Sequence, residues 1–95
     1  MRAQRVDLLI NGNATGNAAI WPGGRGLFTV DGTFGGSTAT LQFLGPTGNW
    51  IAAGPYTTLT AAGGGIFDLP QGQIRVSLSG GSPSGISAIA CIVDL

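Results

Sequence analysis

The stretch of residues 41–54, LQFLGPTGNWIAAG, shows the local pattern on which the fold is built. One apolar run stops at Gly-Pro-Thr-Gly, and a second run starts directly afterwards with Asn-Trp-Ile. Pro46 fixes φ near about −65°, which suits the second position of a type I turn. Gly48 can then adopt the left-handed conformation that closes such a loop. The stretch therefore predicts a Gly-bulge β-hairpin.

A second stretch, LPQG at residues 69–72, has the same spacing of a proline and a glycine. Pro70 and Gly72 stand between two further runs of strand-forming residues, 67–69 and 74–76. The same turn chemistry predicts a second loop of the Gly-bulge kind here.

Strand signals continue along the whole chain, as short runs of Val, Ile, Thr and Phe bounded by Gly, Pro, Asn and Ser. Turn signals recur about every 8–12 residues, which is the rhythm of a β-sandwich or jelly roll. The expected fold is all-β, a single β-sandwich or jelly-roll-like domain of about eight short antiparallel strands. The predicted strands are 5–10, 18–21, 27–34, 38–44, 50–53, 56–62, 65–69, 73–79 and 86–93.

Three of these runs show which side chains face the core. Residues 38–43 and 73–78 alternate apolar and polar side chains, so each strand is expected to bury one face and expose the other. Residues 86–93 are apolar on both faces. This last strand is therefore predicted to be central in the fold or to be covered by another subunit.

The charge content is low and balanced. Charged residues make up 8% of the 95-residue chain, with a formal net charge of zero. Phosphate neutralisation on the scale that nucleic-acid binding needs is therefore not available. Surfaces of small soluble domains usually carry about 25–35% charged residues, so much of this exterior is expected to be covered by neighbours. The alternative is that Ser, Thr, Asn and Gln solvate the surface.

Reactive side chains are also scarce, because the chain has no His, Lys or Glu. The four Asp residues are far apart in the sequence, and Cys91 is the single cysteine. Catalytic triads, general-base histidines and zinc sites all need residues that are missing. We therefore expect no enzymatic activity, no catalytic residues, no metal and no cofactor. Cys91 lies in an apolar run and is expected to pack there.

The N-terminal stretch has too short an apolar run for a signal peptide. No run reaches the length of a membrane-spanning segment either. The chain is therefore expected to be made in a cytoplasm, without membrane contact.

The aromatic residues provide the remaining binding hypothesis. Trp21, Trp50 and Tyr56 stand at strand ends beside loops, where aromatic rings can stack on sugars. The alternative is that these rings cap the core or form an interface. Both interpretations stay open at this point.

Two longer stretches carry a family resemblance. FTVDGTFGGSTATLQFLGPTGNWIAAG, followed by LTAAGGGIFDLPQGQIRVSLSGGSPSGISAIACIV, resembles small virion proteins of tailed bacteriophages. The resemblance covers about residues 26–93 and rests on turn and strand motifs. It implies a jelly-roll or β-sandwich structural part, often a capsid cement (decoration) protein that trimerises on the shell of major capsid protein. Head-fibre and tail modules, including glycan-binding adhesins, share the pattern.

The resemblance thus implies a non-enzymatic virion protein on the capsid exterior, made in the host cytoplasm. Residues 26–95 form the main sandwich, and residues 1–25 form an N-terminal strand with a possible arm, within one domain overall. Arg2 and Arg5 could pair with acidic groups of the shell; the alternative is that this terminus is solvated. The candidate interface residues are Arg2, Arg5, Trp21, Arg25, Trp50 and Tyr56.

Overall fold

The computed structural model describes residues 5–53 and 57–92. Within them, nine β-strands form two antiparallel sheets that enclose one hydrophobic core, so the all-β prediction is confirmed. No helix of the described residues is long and apolar enough to cross a membrane. The strands are β1 (Arg5–Gly12), β2 (Ala19–Trp21), β3 (Gly24–Thr33), β4 (Thr38–Leu44), β5 (Trp50–Ala52), β6 (Thr58–Leu59), β7 (Gly63–Leu69), β8 (Gly72–Ser79) and β9 (Ser84–Ile92).

The order of the strands is that of a jelly roll. The first sheet, sheet A, has the order β1-β9-β3-β7, and the second, sheet B, has the order β2-β8-β4-β5. The pairs are nested, since β1 pairs with β9, β2 with β8 and β3 with β7. β5 and β6 pair with successive parts of β4 and together take the place of one strand. A long hairpin rolled over itself produces this nesting, and it accounts for an eight-stranded plan.

Alternating side chains fill the space between the two sheets. In β4, Ala39 and Leu41 are completely buried, and in β8, Ile74 and Val76 are buried as well. The residues between them on each strand face outward and are partly exposed. The period of two that the sequence shows in both strands is therefore confirmed, and the polar outer face of sheet B follows from it.

β9 lies in the middle of sheet A, between β1 and β3. Its inner residues Ile86, Ala88 and Ala90 are buried in the core. Its outer residues Ile89 and Cys91 are half-buried on the outer face of the sheet. The two-layer core accounts for the inner residues, while Ile89 and Cys91 leave an apolar outer face that no element of the described residues covers.

The predicted hairpin at residues 41–54 is present between β4 and β5. Gly48 has a φ of 84°, and its N–H donates to the carbonyl oxygen of Gly45 at 3.1 Å. The Gly45 N–H donates in turn to the Asn49 carbonyl oxygen at 2.8 Å. These bonds and the left-handed glycine are those of the Gly-bulge loop, so this prediction is confirmed.

The second predicted loop, at Pro70 and Gly72, is not a hairpin. β7 belongs to sheet A and β8 to sheet B, so the chain crosses here from one sheet to the other. Gly72 is the first residue of β8, pairs with Trp21 of β2 and does not have a left-handed φ. The prediction of a second Gly-bulge loop was wrong, because the same spacing of a proline and a glycine also occurs where the chain crosses from one sheet to the other.

The N-terminal strands are part of both sheets. β1 pairs with β9 in sheet A, and β2 pairs with β8 in sheet B. Leu8 and Trp21 carry their side chains into the common core. Residues 1–4, and with them the predicted arm and Arg2, lie outside the described residues.

Candidate interaction surfaces

Trp21 is a core residue. Its side chain has no exposed surface, and its ring packs at a tilt of 55° against the ring of Phe67, with centroids 4.9 Å apart. Gly26 makes this possible, because a Cβ there would lie 2.6 Å from Cη2 of Trp21. A ring inside the sandwich cannot stack on a sugar or contact a partner, so we remove Trp21 from the predicted interface. The prediction for Tyr56 concerns a residue outside the described ranges.

The outer face of sheet A carries a row of apolar side chains across three strands. Cys91 of β9 lies opposite Leu27 of β3, and Leu27 lies opposite Ile66 of β7. Ile89 follows in the next outward position of β9. Leu27 is 36% exposed and Ile66 is 46% exposed. We call these four residues, Leu27, Ile66, Ile89 and Cys91, the apolar strip.

A depression lies beside the apolar strip at the edge of sheet A. It has a volume of about 360 Å³ and is lined by Leu27, Gly64, Gly65 and Ile66. Because the two glycines have no side chains, backbone forms part of its floor. β7 pairs with β3 over seven consecutive positions without a bulge, and its opposite edge has no strand partner among the described residues. This edge therefore combines a protruding isoleucine, a neighbouring hollow and unpaired backbone groups.

Four of the five charged residues in the strands of sheet A have a residue of opposite charge as a neighbour; the fifth, Asp31, lies opposite Ser87 and accepts a hydrogen bond from the Gly32 N–H. Nε of Arg5 is 3.1 Å from Oδ1 of Asp7, two residues along the same strand, and both side chains are at least half exposed. Arg25 lies directly opposite Asp68 in the pairing of β3 with β7. Two arginines predicted for the interface, Arg5 and Arg25, thus have carboxylates of their own sheet as neighbours.

The outer face of sheet B is different, because its five strands contain a single charged residue, Arg75. Nε of Arg75 donates a hydrogen bond of 2.9 Å to Oε1 of Gln42. The guanidinium carbon lies 4.5 Å from the centroid of the Trp50 ring, a cation–π arrangement. All three side chains are half-buried. We call Gln42, Trp50 and Arg75 the arginine cluster.

Strand pairing brings the arginine cluster together. Gln42 and Arg75 are opposite each other in the pairing of β4 with β8. Trp50 lies opposite Leu44, two residues beyond Gln42 on β4. Trp50 is therefore the diagonal neighbour of Gln42. Arg75 lies one strand further away, and its long side chain reaches across β4 to the Trp50 ring. The Gly-bulge loop fixes this register, since it determines which residue of β5 faces Leu44.

No carboxylate of the described residues lies within 4.0 Å of the Arg75 guanidinium, since Arg5 and Asp7 form the one ion pair found in that part of the chain. Sequence reasoning selected Trp50 but missed Arg75 and Gln42. The alternation of β8 places Arg75 on the outer face, and this signal was available. The pairing of β4 with β8, which joins Arg75 to Gln42, was not.

Comparison with known proteins finds a similarity of fold to a solved structure and no similarity to a family model or a curated sequence. No family model matches it, and no curated protein sequence matches it. Among solved structures, the SPBc2 prophage-derived protein YomS superimposes with a TM-score of 0.71 and 9% identity, covering 95% of this chain and 90% of that one. At this identity the likeness shows a shared fold.

A structure of the infectious bursal disease virus Gx strain also matches, with a TM-score of 0.35 and 17% identity. This chain spans 31% of that chain's length. A score this low carries no argument.

Proposed function

We propose that this chain is a bacteriophage virion protein, and specifically a capsid cement protein on the exterior of the head. In this role it bridges subunits of the major capsid protein after synthesis in the host cytoplasm. The fold shared with a prophage-derived protein supports the phage assignment. The few charges and the lack of His, Lys and Glu support a structural rather than an enzymatic role.

The single observation that carries the proposal is the apolar strip with its adjoining depression. Leu27 of β3 and Ile66 of the edge strand β7 are exposed on the outer face of a regular sheet, where a monomer gains nothing from them. Apolar surface of this kind is stabilised by being covered, at about 25 cal/mol for each Å². Interfaces between permanent copies of one chain are the most apolar class of protein interface. We therefore assign the apolar strip to contacts between sister copies, as a homotrimer.

A cement protein acts by mass action. It binds the assembled shell and not its separated subunits, so each bound copy shifts the equilibrium toward the assembled state. Such a protein needs rigidity and complementary surfaces and needs no reactive group. A jelly roll in which residues of both sheets fill one core provides the rigidity.

Replacement of Ile66 tests the assembly. Ile66→Thr keeps a β-branched side chain and therefore the strand preference, and removes apolar surface from the strip. In sedimentation equilibrium the wild-type chain is expected to be trimeric, and Ile66→Thr is expected to raise the dissociation constant about tenfold or more. Ile20→Thr is the matched control, because Ile20 is 63% exposed on β2 of the other sheet. Equal dissociation constants for the two variants would show that the apolar strip is not the contact between copies.

Cys91 provides a second readout of the same surface. It is a free thiol in the apolar strip, so its alkylation by a maleimide should slow when the chain assembles. Ile66→Thr should restore the rate seen at low concentration. A labelling rate that does not depend on protein concentration contradicts assembly through this face.

The cement role itself is tested on particles. Heads of the encoding phage, assembled without this protein, should release their genome at a lower temperature than complete heads. Added wild-type protein should restore the release temperature. If the protein does not bind heads, or binds without any effect on release, the cement role is excluded.

The second candidate is a head-fibre or tail module that binds a host glycan. The half-buried Trp50 on the outer face of sheet B favours it, because tryptophan rings stack on sugars. Against it, the Arg75 guanidinium already lies over the Trp50 ring. A glycan array probed with the wild-type chain and with Trp50→Ala distinguishes the two. Glycan binding that Trp50→Ala abolishes would favour the fibre or tail role.

A further inference from the structure

We infer that Arg75 is the residue through which this chain binds a carboxylate side chain of the shell protein. The inference rests on the proposed function and names the point of contact and the chemistry of the partner. It assigns the outer face of sheet B to the shell, in contrast to the apolar strip of sheet A, which faces sister copies.

The first argument is charge complementarity. Arg75 is the one charge in the five strands of sheet B. If a neutral partner covered this face, it would remove water from a guanidinium and return no opposite charge. Buried charges without a partner are strongly unfavourable. A partner that covers sheet B must therefore bring an acidic group to Arg75.

The second argument is that the guanidinium is already held in place. Gln42 accepts the hydrogen bond from Nε at 2.9 Å, and the guanidinium carbon lies over the Trp50 ring, 4.5 Å from its centroid. Within the described residues, no hydrogen bond to another side chain engages the two terminal nitrogens. A carboxylate can accept two parallel bonds from a guanidinium. An arginine that is fixed before binding loses less side-chain freedom when the partner arrives.

The third argument is the character of the surroundings. The next outward pair along β4 and β8 is Thr40 opposite Ser77, which is polar and uncharged. No neighbouring acid of these strands competes for Arg75. Tryptophan and arginine are also the residues that most often dominate binding energy at protein interfaces. The arginine cluster thus resembles a protein contact point more than a sugar platform, because its ring is covered by the cation.

Three variants test the inference by binding to heads that lack the protein. Arg75→Gln removes the charge, and Arg75→Lys keeps the charge but loses the planar fork. Gln42→Glu supplies a carboxylate from within the chain, which should neutralise Arg75 before any partner arrives. We expect each variant to weaken head binding, and Arg75→Gln and Gln42→Glu to weaken it about tenfold or more.

The matched control is Gln71→Glu. It changes the net charge by the same amount as Arg75→Gln and Gln42→Glu, and it makes the same substitution as the latter in an exposed connection between β7 and β8. This control should bind heads like the wild-type chain. Thermal melts of all variants establish that they fold, so a binding loss is not a loss of structure.

A covalent trap identifies the partner group. The chain has no lysine, so Arg75→Lys introduces its single side-chain amine. A carbodiimide activates a nearby carboxylate, the amine attacks it, and the urea leaves as an isopeptide bond forms. Mass spectrometry should find position 75 joined to an Asp or Glu of the major capsid protein. Gln71→Lys, the control, should give no such product.

The outcomes separate the inference from the proposed function. If the wild-type chain does not bind heads, both fail. If it binds, but Arg75→Gln and Gln42→Glu bind equally well and no cross-link forms at position 75, the inference fails and the cement role stands. If Arg75→Gln abolishes binding to an acidic glycan and leaves head binding intact, the anion is a sugar and the inference is overturned.

Discussion

The outer faces of the two sheets stand on the same core but differ in chemistry. Sheet A presents the apolar strip, and four of its five charges lie beside opposite charges, as Arg5 does beside Asp7. Sheet B presents hydroxyl and amide side chains, with the exposed Ile20 and Leu44, around one cation, Arg75, which lies over Trp50. A face whose charges mostly have opposite charges as neighbours can be covered by another copy of itself. A face whose single charge is a cation without a neighbouring acid needs a partner that brings an acidic group.

Under the proposed function, this difference would give the molecule two kinds of interface with few charged residues. Homomeric contacts are usually apolar, whereas contacts between different proteins depend more on aromatic residues and arginine. The strand alternation produces both, because each sheet uses one face for the core and leaves the other free. Substitutions in the core, in the β4–β5 loop and in the arginine cluster test this difference between the two faces.

The largest effect on the free energy of unfolding is expected at Trp21, which lies in the core that the two sheets share. Trp21→Ala should lower the free energy of unfolding by about 3–5 kcal/mol, because it leaves a large cavity beside Phe67. Urea denaturation measures it. Trp21→Phe should cost much less, since it keeps a ring and removes a buried Nε1 that has no hydrogen-bond partner among the described residues. A loss below about 1 kcal/mol for Trp21→Ala would contradict the common core.

An intermediate effect is expected at Gly48. Gly48→Val forces a β-branched side chain to a φ of 84°, which should cost about 1–2 kcal/mol in unfolding free energy. A Cβ there would meet nothing within 4 Å, so the cost is one of backbone strain. The strain acts on the loop that places Trp50. Gly48→Val should therefore weaken head binding through sheet B and leave assembly through sheet A unchanged.

Gly72→Val is the control for this strain. A Cβ at Gly72 also meets no atom within 4 Å, and the residue does not have a left-handed φ. Its unfolding free energy should change little. Equal losses of unfolding free energy in Gly48→Val and Gly72→Val would show that the left-handed φ of Gly48 is not the source of the cost.

The smallest effect is expected inside the arginine cluster. A double-mutant cycle of Trp50→Ala and Arg75→Gln should give a coupling energy of about 0.5–1 kcal/mol in unfolding, which is the value for a cation–π pair near the surface. The guanidinium lies 4.5 Å from the ring centroid. Chemical denaturation of the four proteins gives this value. Independent effects of the two substitutions would mean that Trp50 does not hold Arg75.

The sequence predicts the local features of this fold well. Alternation in β4 and β8 identifies their inner faces, and Pro46 with Gly48 identifies the tight hairpin between β4 and β5, because both signals come from neighbouring residues. Pairing between distant strands is not encoded in this way. The exchange of sheets between β7 and β8 made the Pro70–Gly72 spacing misleading for this reason.

The candidate surfaces could be predicted in part. Trp50 was recognisable from its place beside a turn, but Trp21 has the same local setting and lies in the core. The two differ in the face of sheet B on which the ring lies, the inner face for Trp21 and the outer face for Trp50, and this is a property of the tertiary fold. Arg75 is a candidate binding residue because no acidic residue lies on the neighbouring strands of sheet B. That absence becomes visible once the order β2-β8-β4-β5 is known.

The central claim is that other protein subunits cover both outer faces of this sandwich, and a three-dimensional map of the virion tests it most directly. We predict many copies on the outside of the head, with the apolar strips of sister copies packed together and a capsid-protein carboxylate next to Arg75. A few copies at the tail, or copies on the head whose two faces both remain in water, would contradict it.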